Sequence, residues 1–488
     1  MTATSLARPD GRHRLALVVS TLCGRPAPTG RQALHRTFDE LLAPAEPAAV
    51  WLALAVLRAS LPLDAEVVAT RRRIALDGPH AAFARLLRPT VDPFELRARR
   101  YEVEVATDEV LVDLHHTSHT ALATGIQRVA RQTSRRWADE HEIGLVGWTG
   151  DQRALRRLSA DERQVALHGS DELPPPGPVA HRVVVPWRCT YVLPELATEG
   201  ARTSRILALA RHSGSRTGVI GFDCVPISSG ETTGPGMGAA FSLNLAAVRH
   251  MDQVAAISRA AAREYSGWRR MLAGTGLPGP AVTPVLLPVE AQPPTDAALA
   301  RVREQFETAT TPLVLCVGSH EPRKNHLAVL HAAELAWQAG HRFRLAFVGG
   351  NSWAAEPFAR RMAELVARGR PLVSVQGMAD DDLWAAYRLA RCVLFPSLNE
   401  GFGLPVAESL ASGTPVITSD FGSMREIAEG GGALLVDPRD DADLARALSS
   451  MLADDELHAR LRAQALARTG QRTWDQYADE VWDVLVAP

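Results

Sequence analysis

From residue 312 to 420 the chain alternates short apolar runs with stretches of helical character, and this alternation limits what it can fold into. PLVLCVG at 312–318 reads as a buried strand, NHLAVLHAAELAWQ at 325–338 as a helix and FRLAFVGG at 343–350 as the next strand. The series continues with a helix near 355–368, the strand PLVSVQG, the helix DDLWAAYRLA, the strand RCVLFPS, the helix GLPVAESLASG and the strand PVITSD. Strands without polar alternation are buried on both faces, and strands that alternate with helices build a parallel sheet covered on both sides. A second series begins with VLVDLHH at 110–116 and continues through IGLVGW at 143–148, HRVVVP at 181–186 and TGVIGF at 217–222. VAAISRAAAREY then reads as strand, turn and helix.

A chain of 488 residues exceeds one ordinary hydrophobic core. The expected fold is therefore α/β, with two doubly wound Rossmann-like domains and a cleft between them, where ligands of such sheets bind. The first domain is expected over 106–290 and the second over 291–465, with a final helix in 466–488 that can cross back to the first. Pro278, Gly279 and Pro280 open the expected hinge, which continues around Pro293 and Pro294. Residues 1–105 are the least legible. LALVVS at 15–20 reads as a strand, and VWLALAVLRASL at 50–61 as a helix or a buried strand. The region is either an accessory domain or an addition to the first.

Charge narrows the partners. Lys and Arg total 53 against 55 Asp and Glu, a formal net charge of -2, which offers no broad cationic surface for nucleic acid. The five cysteines are scattered and form no CxxC, as in a reducing compartment without a disulfide framework. Ala48–Leu57 is far shorter than the roughly 20 apolar residues of a spanning helix, and the first residues carry no signal-peptide pattern. A cytoplasmic protein is expected, with peripheral contact at the inner face of a membrane left open.

The richest chemical pattern is LFPSLNEGFGLPVAESLASGTPVITSD at 394–420. Glu400 closes a loop after a strand, Gly401 and Gly403 admit close backbone approach, and Pro405 suits the first turn of the next helix. The amides at that helix start can face a diphosphate. Glu408 lies early on the helix, so the two carboxylates occupy different places around one pocket. One can face sugar hydroxyls or positive character at the anomeric carbon, and the other ribose hydroxyls. In GSHEPRKN at 318–325, Arg323 and Lys324 stand beyond a strand end, where a fork and a mobile point charge suit phosphate oxygens.

Signals in the first half are weaker. ATGIQR at 123–128 places Gly125 in a small-residue loop followed by Arg128, but it is not GxGxxG. His115, His116 and His119 lack the spacing of HExxH, and no metal site is expected. Asp380–Asp382 suits a helix start through capping and the helix dipole. Asp223, after TGVIGF, either binds substrate hydroxyls or orders the following turn. Cys224 has no evident activating partner.

GSHEPRKN, VSVQGMADDDLWAAY, FPSLNEGFGLPVAESLASGTPVITSD and GSMREIAEGGGALLVDP together resemble the retaining GT-B glycosyltransferases of family GT4. The resemblance is strongest from about 312 to 440. It extends back to 110 through VDLHHTSHTALATGIQRV, which looks like the mannosyl- and rhamnosyltransferases of bacterial polysaccharide assembly. It implies that Glu400 and Glu408 are the ends of the family's Glu-x7-Glu motif, near the donor sugar and the ribose. It also implies Arg323 and Lys324 at the donor phosphates, Gly125 facing the diphosphate, and Met378 near the base. Phe402, Gly403 and Leu404 would line the approach to phosphate and sugar. Phe222 stands where many members carry His beside Asp223, which leaves the role of Asp223 open.

The resemblance implies transfer of a hexose or deoxyhexose with retention from a nucleotide-diphosphate sugar. GDP-mannose or a deoxyhexose nucleotide is the first candidate, and no cofactor or metal is obligatory. The acceptor would be a hydroxyl on a glycan, a lipid-linked glycan or a specialised metabolite. A nucleotide-sugar isomerase of similar fold and a noncatalytic carbohydrate-binding assembly subunit are the alternatives.

Overall fold

The computed structural model describes residues 11–87, 100–120, 124–170, 181–468 and 472–487. Two sheets organise them, one of nine strands and one of six. The first contains β1 (Glu102–Ala106), β2 (Val110–Asp113), β3 (Ile143–Trp148), β4 (Leu155–Arg157) and β5 (Arg182–Pro186). It is completed by β6 (Thr190–Leu193), β7 (Arg216–Gly221), β8 (Gln253–Ala256) and β9 (Ala281–Pro284). The strand order is β1-β5-β4-β3-β2-β6-β7-β8-β9, and only β4 runs antiparallel to its neighbours.

The second sheet is wholly parallel, with β10 (Leu313–Val317), β11 (Arg344–Val348), β12 (Leu372–Val375), β13 (Cys392–Phe395), β14 (Val416–Ser419) and β15 (Ala433–Val436). Its order β12-β11-β10-β13-β14-β15 is the doubly wound one. The chain reverses direction across the sheet between β10 and β13, where Val314 pairs with Cys392. A crevice at the carboxyl ends of those two strands follows from the reversal. Fold and topology make this a GT-B arrangement of two Rossmann-like sheets with their helices.

Residues 11–87 form helices α1 (Gly11–Cys23), α2 (Arg31–Leu42), α3 (Pro47–Arg58) and α4 (Asp64–Leu87). LALVVS is therefore helix, not strand. Leu15, Val18 and Val19 are buried at helical spacing, a pattern that so short an apolar run does not separate from a strand. In α3 every residue from Ala49 to Leu57 is buried, because the helix is enclosed by its neighbours and by the first sheet. Trp51 and Phe83 share one apolar cluster with Trp148, Val184 and Tyr191, so these helices cover a face of the first sheet.

The opposite face is covered partly by the chain's end. The helix Trp474–Leu485 packs on the helix Gly125–Glu140, and the Trp137 indole donates to the Ala478 carbonyl at 2.9 Å. Trp474, Tyr477 and Val481 are buried there. Pro278–Pro280 is not the hinge. Ala281–Pro284 pairs in parallel with β8, so that turn lies inside the first sheet and the crossing to the second follows Pro284.

Asp380–Asp382 opens the helix Asp380–Leu389 without a side-chain cap. The carboxylates instead reach the helix Asp296–Phe306, Asp381 accepting from Thr295 Oγ1 at 2.6 Å and Asp382 from Arg301 at 2.6 Å.

Candidate functional site

The site is assembled where β10 and β13 diverge. Beyond β10, a turn of 3-10 helix at Pro322–Lys324 carries the two cations. Beyond β13, a loop carries Glu400 back onto them. Lys324 Nζ lies 2.6 Å from Glu400 Oε1, and Arg323 pairs with Glu400 Oε2. Arg323 also donates to the Asn399 carbonyl at 2.9 Å and to Glu321 at 2.7 Å. Ser397 Oγ donates to Glu400 at 2.6 Å, and the Lys324 ammonium sits 4.9 Å from the centre of the Phe395 ring. Burial alone would raise the Glu400 carboxyl, but Arg323 and Lys324 outweigh it and hold the group at about 2. All three charges are largely buried, so they are paired by necessity.

Gly403 precedes the helix Leu404–Ala411 with φ 103°, a left-handed conformation that suits glycine, and Pro405 lies in the first turn. No side chain caps this helix start. Across the cleft, the helix Gly125–Glu140 also begins without a side-chain cap, and a Cβ on Gly125 would lie 3.4 Å from Leu404 Cδ1. Two uncapped helix N-termini thus face one another, an arrangement that favours an anion.

Glu408 is buried one turn into the Leu404 helix. Tyr387 donates to its Oε2 at 2.9 Å, and Arg128 reaches Oε1 at 2.6 Å from the other sheet's side of the cleft. Phe402 is buried, in one apolar cluster with Val112, Ile220 and Trp474. Met378 is half-buried against the core beside Val375 and Leu383.

Asp223, at the end of β7, comes up against the Glu400 loop. A Cβ on Gly401 would lie 2.5 Å from the Phe222 carbonyl oxygen and 2.8 Å from Asp223 Oδ2. Asp223 also accepts from the Val225 amide at 3.1 Å, which orders the turn. Burial pushes its carboxyl up to about 6 against the pull of the Arg323 guanidinium. The Cys224 thiol is raised well above its ordinary value by burial, which leaves it inert.

Several site contacts are absent from the sequence reading. Ser258 donates to the Gly401 carbonyl at 2.6 Å, and Ser423 to the Glu400 carbonyl at 2.9 Å. Glu426 accepts from the Arg259 and Ala260 amides at 3.0 and 2.9 Å, joining the second sheet's side to the start of the helix Arg259–Gly274. Glu264 accepts from the Cys224 amide at 2.7 Å, and Asn399 donates to Ser229 at 3.1 Å. Only Ser258 had a local signal, as a serine directly before a helical run.

The histidines after β2 are held in local contacts. His119 Nδ1 lies 2.8 Å from the His115 carbonyl, and its Nε2 lies 3.0 Å from Glu162. No group of three or more metal-ligating side chains occurs among the described residues. Beneath the loop, Asp113 and Glu195 enclose Arg202 at 3.0 and 2.7 Å, all three wholly buried. Glu195 also accepts from the His116 and Thr117 amides at 2.7 and 2.8 Å, fixing the turn that follows β2.

Residues 301–468 match the family model described as glycosyl transferases group 1. The chain is 25% identical over 393 residues to the serotype-specific mannosyltransferase WbdA of Escherichia coli, covering 76% of this chain and 46% of that protein. It is 32% identical over 188 residues to the O-antigen chain mannosyltransferase B of Escherichia coli, covering 38% and 48%. The chain spans about half the length of the curated relatives it matches. Among solved structures, Anabaena Alr3699/HepE in complex with UDP-glucose aligns with a TM-score of 0.56 and 15% identity, covering 78% of this chain and 100% of that one; the likeness is one of fold. The chain is thus a GT-B-fold protein. Over part of its length it is related to the group 1 glycosyltransferases, mannosyltransferases among them. No helix among the described residues is long and apolar enough to cross a membrane.

Proposed function

We propose that this chain is a retaining glycosyltransferase that moves a hexose or deoxyhexose from a nucleotide-diphosphate sugar to an acceptor hydroxyl. The observation that carries this reading is Glu400 held between Arg323 and Lys324 at the sheet's reversal point, with Asp223 brought against its loop and Arg128 reaching Glu408 from the first sheet. The mannosyltransferases among the relatives favour GDP-mannose as the first donor to try, with deoxyhexose nucleotides next. The acceptor is a hydroxyl of a glycan, a lipid-linked glycan or a specialised metabolite. Residues 106–290 serve the acceptor, 291–465 hold the nucleotide sugar, and the helices of 11–87 and Trp474–Leu485 belong with the first domain.

Donor phosphates replace Glu400 as the partner of Arg323 and Lys324, and the released carboxylate faces the sugar. As the C1–O bond to the leaving phosphate breaks, the two cations and the helix-start amides take up the developing negative charge. The acceptor oxygen bonds to C1 on the same face and its proton passes to the leaving phosphate, so configuration is retained. The cation pair and backbone amides supply the phosphate stabilisation, and no divalent metal is required by this scheme. Closure of the cleft orients the two substrates.

The test is turnover of GDP-mannose and deoxyhexose nucleotides with a panel of glycan acceptors, followed by anomeric analysis of the product. Glu400→Gln and Lys324→Ala are each expected to lower kcat about 100-fold or more. Full activity in both variants, or an inverted product, sinks the reading.

A further inference from the structure

We propose that Arg128 is a nucleotide-binding residue contributed by the first sheet's side of the cleft. In the resting protein Glu408 holds it, and the donor's ribose displaces it onto the diphosphate. The inference rests on the nucleotide-sugar reading of this cleft.

Both oxygens of Glu408 are already engaged. Tyr387, wholly buried, donates to Oε2, and the Arg128 guanidinium occupies Oε1 at 2.6 Å. A ribose diol that binds Glu408 must therefore replace one of these partners. Tyr387 is fixed in the core of the second sheet, where burial keeps its phenol protonated. Arg128 is about one-third exposed and belongs to another element, so it is the partner that can leave. Ribose hydroxyls replace its hydrogen bond but not its charge, and a guanidinium that leaves a carboxylate is best accommodated by a second anion.

That anion would be close at hand. Arg128 lies in the first turn of the helix Gly125–Glu140, and Gly125 packs against Leu404, the first residue of the helix that carries Glu408. From Glu408 back to Leu404 is one turn, about 5–6 Å along the axis. A guanidinium released from Glu408 swings that distance without backbone movement. At the uncapped N-terminus it meets the diphosphate, with fork geometry suited to two phosphate oxygens. The exchange couples the two halves of the cleft, since only a ligand with both ribose and diphosphate releases the cation and receives it.

The test compares nucleotides in the full chain by calorimetry. UDP, GDP, ADP and dTDP are each paired with the matching monophosphate, and the base that binds wild type tightest is carried forward. Arg128→Met is expected to weaken the diphosphate about 10-fold or more. The monophosphate, freed from competition for Glu408, binds equally well or a few-fold tighter. Arg128→Lys keeps the charge and recovers part of the diphosphate affinity, which separates the exchange from general misfolding. Equal losses for both nucleotides, or no change for either, overturn the proposal and leave Arg128 as a fixed strut across the cleft. If wild type binds none of the diphosphates, the nucleotide-sugar reading itself fails and this inference falls with it.

Discussion

Ser258 donates its hydroxyl to the carbonyl of Gly401 at 2.6 Å, tying the start of a helix on the first sheet's side to the loop that carries Glu400. The same hydroxyl accepts from the Ala261 amide at 2.9 Å, so one buried atom caps the helix and fixes the loop. Ser258→Ala removes both bonds. Loss of a cap typically costs about 0.5–2 kcal/mol, and a buried carbonyl without its donor about 1–3 kcal/mol. Thermal melting is expected to fall by several degrees, and kcat by more than the melting change explains, because the Glu400 loop loses its cross-cleft anchor. A variant that melts lower but turns over normally would assign Ser258 to stability alone.

The close approach at Gly401 gives a sharper geometric prediction. Its missing side chain leaves room for the Phe222 carbonyl and the Asp223 carboxylate. Gly401→Ala places a methyl group against both, one a backbone oxygen and the other on a short side chain held by the Val225 amide. The two halves of the cleft must part by a fraction of an ångström to about one ångström. A displacement of that size costs on the order of 100-fold in rate, while each half keeps its own core. Activity within threefold of wild type would show that the working cleft is more open than this one.

Much of this architecture was readable from the chain, and the failures have physical causes. β10 to β14 appear as Val- and Leu-rich runs because a parallel sheet buries both faces, and EGFGLPVAE marks the crevice by local geometry that glycine and proline impose. LALVVS misleads because five apolar residues in a row fit a helix face and a strand equally well, and only the packing of α1 on α3 decides between them. Asp380–Asp382 resembled a cap because acids favour helix starts, yet the helix Asp296–Phe306 claims two of them. The cross-cleft contacts were invisible. Arg128 and Glu408 lie 280 residues apart, and no local pattern encodes a partner at that distance.

The buried triad behind the turn after β2 leaves no local signal for the same reason, and it predicts a large stability effect. Arg202 is enclosed by Asp113 and Glu195 with no exposure to solvent. Arg202→Met leaves two buried carboxylates facing each other without their cation. Removing one partner of a buried ion pair costs about 3–5 kcal/mol, and here one of the carboxylates also fixes the His116–Thr117 backbone. Urea denaturation is expected to show a loss in that range. A loss below 1 kcal/mol would mean that water reaches the triad.

Asp223 links stability to pH with a sign opposite to that of most acids. Burial raises its carboxyl from 3.8 to about 6, so the folded chain holds this proton more tightly than the unfolded one. The stability it contributes is complete below about pH 4 and is lost as pH rises through 6. Above that, the ionised carboxylate weighs against folding by on the order of 2–3 kcal/mol. Asp223→Asn keeps an acceptor for the Val225 amide and carries no charge. The variant is therefore expected to exceed wild type in stability at pH 8, with the gap closing steadily toward pH 4. If Asp223 also handles substrate, the stabilised variant loses turnover at every pH, because the burial that raises its carboxyl then serves the site and not the fold. Denaturation midpoints and kcat measured across that range decide both points. A gap that does not change between pH 4 and 8 would show that Asp223 is not the group that titrates.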